Sequence, residues 1–159
     1  QKCLRLVVGP PWSNHDFKGV PPSRLVPLHT GLKPPNLVHT SLDWMFERHG
    51  IDKAWSEEVI LDQRNRANMI YQLAGEKNRP HWHPDFDEWW VVLKGELRWT
   101  IGAQAPVTAR KGDLVFAEAG YRHAIDTGGN EPSVRLSFTI PGVRHVFTEG
   151  DKSAPPPRR

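Results

Sequence analysis

The sequence has little cysteine, no long apolar run and almost no excess of charge, and each shortage excludes a class of protein. Cys3 is the only cysteine among 159 residues, so no internal disulfide can form and a cysteine-rich structural zinc site is excluded. No apolar run approaches the length of a membrane span, and the first residues lack the charged start and apolar core of a signal peptide. We therefore expect a cytoplasmic protein with no membrane partner, although a chain that begins with Gln is compatible with processing.

The net charge of +3 is modest, and part of the excess lies in the closing "PPPRR". The charge therefore predicts no basic face, and with no DNA-binding motif in the chain we expect no nucleic-acid partner. The 15 prolines and 13 glycines favour short strands and turns over a helical bundle. The length suits one domain, and the predicted class is all-β.

The chain divides into three predicted regions. Residues 1–56 form an extended, proline-rich arm that begins with a strand "LRLVV" and ends in one short helix, "TSLDWMFERHG", capped by Thr40 or Ser41 and closed by Gly50. Residues 57–145 form a β-barrel domain, and residues 146–159 form a flexible tail. The predicted strands of the barrel are "EEVIL", "ANMIYQL", "EWWVVL", "ELRWTI", "DLVFA" and "VRLSFTI".

The stretch "GEKNRPHWHPDFDEWWVVLKGELRW" contains a potential metal-binding pattern. Residues two apart on a strand point to the same face, so His81 and His83 can direct two imidazoles at one point. The turn chemistry of "PDFD" lets the chain return with Glu88 facing the same point. A pair of histidines in this spacing is common by chance in a chain with eight histidines. The interpretation as a metal site therefore depends on the spacing of the neighbouring residues.

The spacing around these residues is specific. Gly75, His81, His83, Glu88 and Gly95 follow the pattern G-x5-H-x-H-x4-E-x6-G. Downstream, "GDLVFAEAGYRHAIDT" resembles G-x5-P-x-G-x2-H-x3-N, with His123 at the histidine position. Glu118 replaces the proline of this second pattern and Thr127 replaces its asparagine. The two segments resemble the two signature motifs of the cupin superfamily, and the matched span is residues 75–127.

The resemblance implies a double-stranded β-helix, or jelly-roll barrel, with a mononuclear metal site. It implies that the ligands are His81, His83, Glu88 and His123, since neither departure in the second motif falls on a ligand position. Three imidazoles and a carboxylate suit Fe(II), Mn(II), Ni(II), Cu(II) or Zn(II), and on an octahedral ion they leave positions for water, O2 or substrate. We expect one divalent transition metal ion, with Fe(II) favoured.

The register of the next two strands predicts a pocket. If "LKGE" is a hairpin turn with Gly95 at positive φ, then Val92 faces Leu97, Trp90 faces Trp99 and Glu88 faces Ile101. The five apolar residues then share the face of Glu88. They either fill the core or form an apolar, aromatic wall of a substrate pocket, and both interpretations stay open.

Two further residues are candidates for catalysis. Tyr121 is two residues before His123, so on a strand its side chain points to the same face and can place a hydroxyl near the metal. Arg79 is two residues before His81 and can likewise meet a substrate carboxylate. The alternative for both residues is packing at the surface without a functional role. Arg135 is predicted to be a solvated or paired surface residue. The remaining histidines lack ligand spacing and are expected to be surface or packing residues: His15, His29, His39, His49 and His145.

Three functions compete at this stage. We favour a metal-dependent oxygenase that acts on a small aromatic or enolic substrate. A non-oxidative cupin lyase, isomerase or decarboxylase, with the metal as Lewis acid, is the first alternative. Small cupin lyases that act on dimethylsulfoniopropionate are similar in size and ligand type, but they often have a tyrosine where this chain has Trp90. A non-catalytic ligand-binding cupin is the third. The expected partner is a small molecule, and the N-terminal arm resembles the strands through which cupins often form homodimers.

Overall fold

The computed structural model describes residues 5–9 and 31–147. In these residues one helix precedes eight strands. The elements are α1 (Leu42–His49), β1 (Trp55–Leu61), β2 (Arg66–Gln72), β3 (Glu88–Lys94), β4 (Glu96–Ile101), β5 (Val107–Arg110), β6 (Leu114–Ala117), β7 (His123–Asp126) and β8 (Ser133–Thr139). The predicted all-β class is confirmed, and the six predicted strands are present. The short strands β5 and β7 were not predicted from the sequence.

The strands form two antiparallel sheets that face each other. The larger sheet has the order β1-β2-β8-β3-β6, and the smaller has the order β5-β4-β7. Strands that follow one another along the chain often lie in different sheets, as in a double-stranded β-helix. The space between the sheets is the barrel interior.

The helix forms where its capping residues predict it. The Ser41 side chain accepts a hydrogen bond from the backbone N–H of Trp44, Asp43 lies in the first turn, and the chain leaves the helix at Gly50 with a φ of 77°. Met45 is completely buried beneath the helix. The helix thus covers the outer face of the larger sheet.

The larger sheet packs apolar side chains on both of its faces. On the outer face, Met69, Tyr71 and Phe138 pack with Met45 of the helix. On the inner face, Trp90 and Val92 pack with residues of the smaller sheet. Burial of two faces explains why β3 is a continuous apolar run rather than an alternating one.

The register predicted for β3 and β4 is wrong. Gly95 does adopt a positive φ of 72°, but the two strands do not pair with each other. Glu88 is opposite Ala117 of β6, and Ile101 is opposite His123 of β7. The turn at Gly95 moves the chain from one sheet to the other, so Trp90 and Trp99 meet across the barrel, with ring centroids 5.8 Å apart. The prediction that both rings point into the barrel is nevertheless correct, because side chains alternate between the two faces along each strand whichever strand it pairs with.

The structure also bears on the two ends of the chain. Residues 5–9 are exposed and form no strand, contrary to the prediction for "LRLVV". Residues 1–4, 10–30 and 148–159 of the predicted arm and tail lie outside the described residues, and the proposed domain boundaries stay predictions. No helix within 5–9 and 31–147 is long and apolar enough to cross a membrane.

The turn at Gly95 generates a prediction about stability. A Cβ atom at Gly95 would lie 2.6 Å from the carbonyl oxygen of Pro132, whereas one at Gly112, also at positive φ, would meet nothing within 4 Å. We expect Gly95→Ala to lower the free energy of unfolding by roughly 2 kcal/mol or more, and Gly112→Ala by only about 1 kcal/mol. Urea denaturation of the two variants measures the difference. Equal losses would contradict the close approach.

Candidate metal centre

The four predicted ligands come from separate elements that the barrel brings together. His81 and His123 are joined by a pair of backbone hydrogen bonds, of 3.1 Å and 2.8 Å, which sets their side chains next to each other. His83 follows two residues later, and Glu88 begins β3. All four side chains are buried. One ligand atom from each lies within 4.8 Å of those of the other three.

The distances within this cluster are short. Glu88 Oε2 lies 2.8 Å from His83 Nε2 and 3.2 Å from His123 Nε2, and His81 Nε2 lies 4.0 Å away. His81 Nε2 and His123 Nε2 are 3.2 Å apart. The other carboxylate oxygen, Oε1, accepts a hydrogen bond of 2.6 Å from Ser137 Oγ. The glutamate is therefore held from one side and presents one oxygen to the three rings.

Backbone carbonyls determine which ring nitrogen of each histidine faces the centre. The Nδ1–H groups of His81, His83 and His123 donate to the carbonyl oxygens of Arg79, Arg144 and Tyr121, at 2.9 Å, 2.9 Å and 3.1 Å. Because a carbonyl oxygen can only accept, each Nδ1 carries the proton, and the neutral ring directs the lone pair of Nε2 inward. This arrangement orients metal-binding histidines in general.

The cluster therefore needs positive charge. Three inward lone pairs and a carboxylate oxygen are all acceptors, and in neutral rings none of them can donate to another. Buried acceptors this close repel one another unless protons or a cation lie between them. The donor set of three imidazole nitrogens and one carboxylate oxygen fits a divalent transition metal ion. The four residues can hold such an ion, as the resemblance implied.

Burial and the Glu88 carboxylate shift the pKa values of the cluster in opposite directions. Burial, with the neighbouring His123, lowers the pKa of His81 to about 4. Burial also disfavours a charged His83, but hydrogen bonds to Glu88 and to the Arg144 carbonyl outweigh it and raise its pKa. For Glu88 burial is likewise outweighed, by the hydrogen bonds from His123 and His83, and its pKa falls far below the usual range. Without a metal, these shifts favour a protonated His83 beside an ionised Glu88.

The segment that follows β8 forms one rim of the site. Val146 pairs with Trp82 through two backbone hydrogen bonds, of 3.1 Å and 2.9 Å. This pairing sets the exposed His145 ring 4.9 Å from that of His81 and 4.5 Å from that of His83. Phe147 stacks on His145. The sequence analysis treated His145 as an ordinary surface residue, since its distance along the chain gives no ligand spacing.

The two predicted catalytic residues lie near the centre, and their roles stay predictions. The Arg79 guanidinium lies 4.6 Å from the ring centroid of Phe147 on the rim. Tyr121 is half-buried and packs against the inner core, with its carbonyl on His123.

The five predicted pocket residues lie together on the barrel interior. They are buried in one cluster: Trp90, Val92, Leu97, Trp99 and Ile101. Trp90 is nearest the ligands, with its ring centroid 5.1 Å from that of His123. The Nε1–H of Trp99 is buried and has no hydrogen-bond partner among the described residues. Their role as a substrate wall stays a prediction.

Arg135 is a correction to the sequence analysis. It was expected at the surface, but only 4% of it is exposed, and it lies on the inner face of β8 two residues from Ser137. The alternation of "SVRLSFT" contained this information, because Ser133, Arg135 and Ser137 have one parity. In this barrel that side of β8 is the inner face, so the prediction of a solvated or paired surface arginine is wrong.

The fold and the cluster define a double-stranded β-helix domain with a three-histidine, one-carboxylate centre. Residues 69–140 match the family model described as Cupin domain. No curated protein matches the chain. Several solved structures resemble it. An uncharacterised double-stranded β-helix protein of Klebsiella pneumoniae subsp. pneumoniae MGH 78578 has a TM-score of 0.55 at 21% identity, and the match covers 62% of this chain and 86% of that chain.

Two further structures show the same fold at low identity. A cupin superfamily protein of Desulfitobacterium hafniense DCB-2 matches with a TM-score of 0.50 and 20% identity, over 56% of this chain and 78% of that one. Oxalate decarboxylase of Bacillus subtilis, a protein with Mn(II) centres, matches with a TM-score of 0.50 and 22% identity. That match covers 54% of this chain but only 24% of the decarboxylase. Residues 69–140 therefore form a cupin domain, as the two motifs predicted.

The pKa values predict how many protons an entering ion displaces. At about pH 5, three ordinary histidines would each carry an extra proton and would release about three on binding Zn(II). His81, with its pKa lowered to about 4, is mostly neutral there, so we expect no more than about two protons per ion. Affinity should fall as the pH falls, because the raised pKa of His83 keeps a proton that the ion must displace. Calorimetry in buffers of different ionisation enthalpy counts the protons, and a count of three would contradict the burial of His81.

Proposed function

We propose that this protein is a metal-dependent enzyme, most specifically an oxygenase that acts on a small aromatic or enolic substrate. The observation that carries the proposal is the convergence of four acceptor atoms, three Nε2 and one Oε2, on one point inside the barrel. A metal site with a purely structural role would need no access from solvent. Here His81 keeps 8% of its surface exposed and the rim beside it carries an exposed histidine.

The protein residues perform defined tasks in this proposal. His81, His83, Glu88 and His123 would hold the ion, which when bound supplies Lewis acidity and, for a redox-active metal, one-electron chemistry with O2. The carbonyls of Arg79, Arg144 and Tyr121 keep the rings oriented. Ser137 holds Glu88 by its outer oxygen. The substrate would approach from the rim formed by His145 and Phe147.

The aromatic part of the proposal rests on Trp90 and Trp99. The Trp90 ring lies next to His123 and meets the Trp99 ring across the barrel, which favours a flat or apolar substrate body over a small polar one. The buried N–H of Trp99, unpartnered among residues 5–9 and 31–147, costs roughly 1–3 kcal/mol unless a ligand or water accepts from it. A substrate oxygen would satisfy this donor.

The donor set is compatible with Fe(II) and also with several other divalent ions. Three imidazoles and one carboxylate bind Fe(II), Mn(II), Ni(II), Cu(II) and Zn(II), and which ion occupies such a site depends on availability as much as on affinity and geometry. We propose Fe(II), because the oxygenase hypothesis needs an ion that exchanges electrons with O2. Mn(II), present in the decarboxylase of similar fold, is the second candidate.

One observation favours a second function, a non-oxidative lyase, isomerase or decarboxylase. The exposed His145 ring adjoins both His81 and His83. An imidazole at the mouth of a Lewis-acid site is well placed to move a proton to or from a substrate. This chemistry would require no O2 and would tolerate a metal without redox activity.

Metal replacement separates the two functions. We expect Fe(II)-loaded protein to consume O2 in the presence of a catechol, a phenol or an enol, and Zn(II)-loaded protein to consume none. An oxygen electrode measures the uptake, and His123→Ala, which removes one ligand, is the matched inactive control. Turnover of an organic acid that is equal with Zn(II) and Fe(II) and independent of O2 would contradict the oxygenase and favour the second function.

The indole N–H of Trp99 provides a test of the pocket. We expect Trp99→Phe, which removes the N–H but keeps an aromatic ring, to raise KM at least about fivefold, the loss of about 1 kcal/mol of binding. Metal content should not change. Trp89→Phe is the matched control, because Trp89 stacks on Phe138 on the outer face of the same sheet. Equal kinetics for the two variants would assign Trp99 to the core alone.

A further inference from the structure

Arg135 is a buried cation that the described residues do not neutralise. It is 4% exposed, and burial lowers its pKa to about 10 although the Glu88 carboxylate opposes this, so it stays charged at neutral pH. Arginine is almost never this buried unless it is paired with an anion. Among residues 5–9 and 31–147 it forms no ion pair. Its one hydrogen bond is from Nη1 to the neutral Gln72 Oε1.

The guanidinium also has an unused donor inside the barrel. Its Nε–H is buried and has no hydrogen-bond partner in the described part of the chain. Glu88 does not supply one, since its Oε1 accepts from Ser137 and its Oε2 faces the histidines. The edge of a guanidinium, with Nε–H and an Nη–H side by side, is the shape that binds a carboxylate through two oxygens.

Arg135 lies close to the metal centre on the same wall. It is two residues from Ser137 on β8, a separation of about 6.7 Å along a strand, and Ser137 touches Glu88. Opposite it in the sheet are Val92 on one side and Ile70 on the other. The guanidinium and the ligand cluster thus lie on the same inner face of the larger sheet, at a spacing that a small organic molecule can bridge.

The inner face of β2 beside Arg135 is less buried than its outer face. On β2 the outward residues Ala67, Met69 and Tyr71 are buried in the cluster that includes Met45 of the helix, whereas the inward residues Asn68 and Ile70 are only half-buried. Because Ile70 is opposite Arg135 in the sheet, Arg135 lies next to the less enclosed part of the inner face.

From this arrangement we propose that Arg135 is the anion-binding residue of the site and that the substrate is an organic carboxylate. The carboxylate group lies against the guanidinium, and a second oxygen of the same molecule points to the ion. A divalent ion and a guanidinium are opposed by Glu88 alone, so an anionic ligand completes the charge of the interior. The proposal rests on the proposed function, whose aromatic and enolic substrates it narrows to acids.

Ligand binding to the metal-free protein tests Arg135 separately from catalysis. The probes are 2-hydroxybenzoate, its neutral amide 2-hydroxybenzamide, and formate as the smallest carboxylate, each titrated calorimetrically into protein treated with a chelator. We expect Arg135→Met to weaken 2-hydroxybenzoate at least about tenfold and to leave the amide within about twofold. Arg135→Lys should retain part of the affinity. The control is Arg98→Met, which removes an exposed arginine of β4.

If Arg135→Met does not fold, the variant Gln72→Glu provides a second test of the anion site. Gln72→Glu places a carboxylate of the protein on the guanidinium, so it should raise the melting temperature and abolish carboxylate binding. A structural role for Arg135 predicts instead that Gln72→Glu leaves binding unchanged, and that Arg135→Met lowers Zn(II) affinity through Glu88. Zn(II) affinity within about twofold of the unmodified protein supports the anion site.

The outcomes distinguish this inference from the function on which it rests. Arg135-dependent binding of 2-hydroxybenzoate without O2 uptake by the Fe(II) protein keeps the inference and removes the oxygenase. Arg135-dependent binding of formate alone keeps the carboxylate site and removes the aromatic body. Loss of acid and amide binding to the same degree, or no effect of Arg135 on any probe, overturns the inference.

Discussion

The repulsion among four converging acceptor atoms is the constraint on which the structure depends. Three Nε2 lone pairs and Glu88 Oε2 meet inside the barrel, and backbone carbonyls hold the rings so that they cannot turn away. Such an arrangement is stable only with a cation or protons at its centre. The strands around it must therefore be rigid enough to hold the acceptors together before the ion arrives, and two packed faces of the larger sheet supply that rigidity.

The barrel interior is divided between two kinds of wall. Trp90, Trp99 and their neighbours make one side apolar. The inner face of β8 makes the other side polar, with Ser133, Arg135 and Ser137 all buried. The four predicted metal ligands lie where the two walls meet, since Trp90 contacts His123 and Ser137 holds Glu88. A substrate with an apolar body and a charged end would match both walls at once.

The rim of the centre comes from a segment with no signature of its own. Residues 143–147 pair with Trp82, supply the carbonyl that orients His83, and bring His145 to the edge of the cluster. This segment lies about 60 residues from His83 along the chain, and its contacts depend on the end of β8 passing over the ligand loop. No local pattern in "PGVRHVF" expresses that placement.

The sequence by itself determined the elements and the ligand set of this protein. Ser41 and Gly50 delimit the helix, alternating and apolar runs mark the longer strands, and the spacing of His81, His83, Glu88 and His123 identifies the superfamily. These signals are local, because capping, parity and motif spacing act over a few residues. The tertiary structure decided which strands pair, since Gly95 joins two sheets rather than the two arms of a hairpin. It also decided that Arg135 faces inward and that His145 borders the site, because both depend on contacts between residues far apart in the chain.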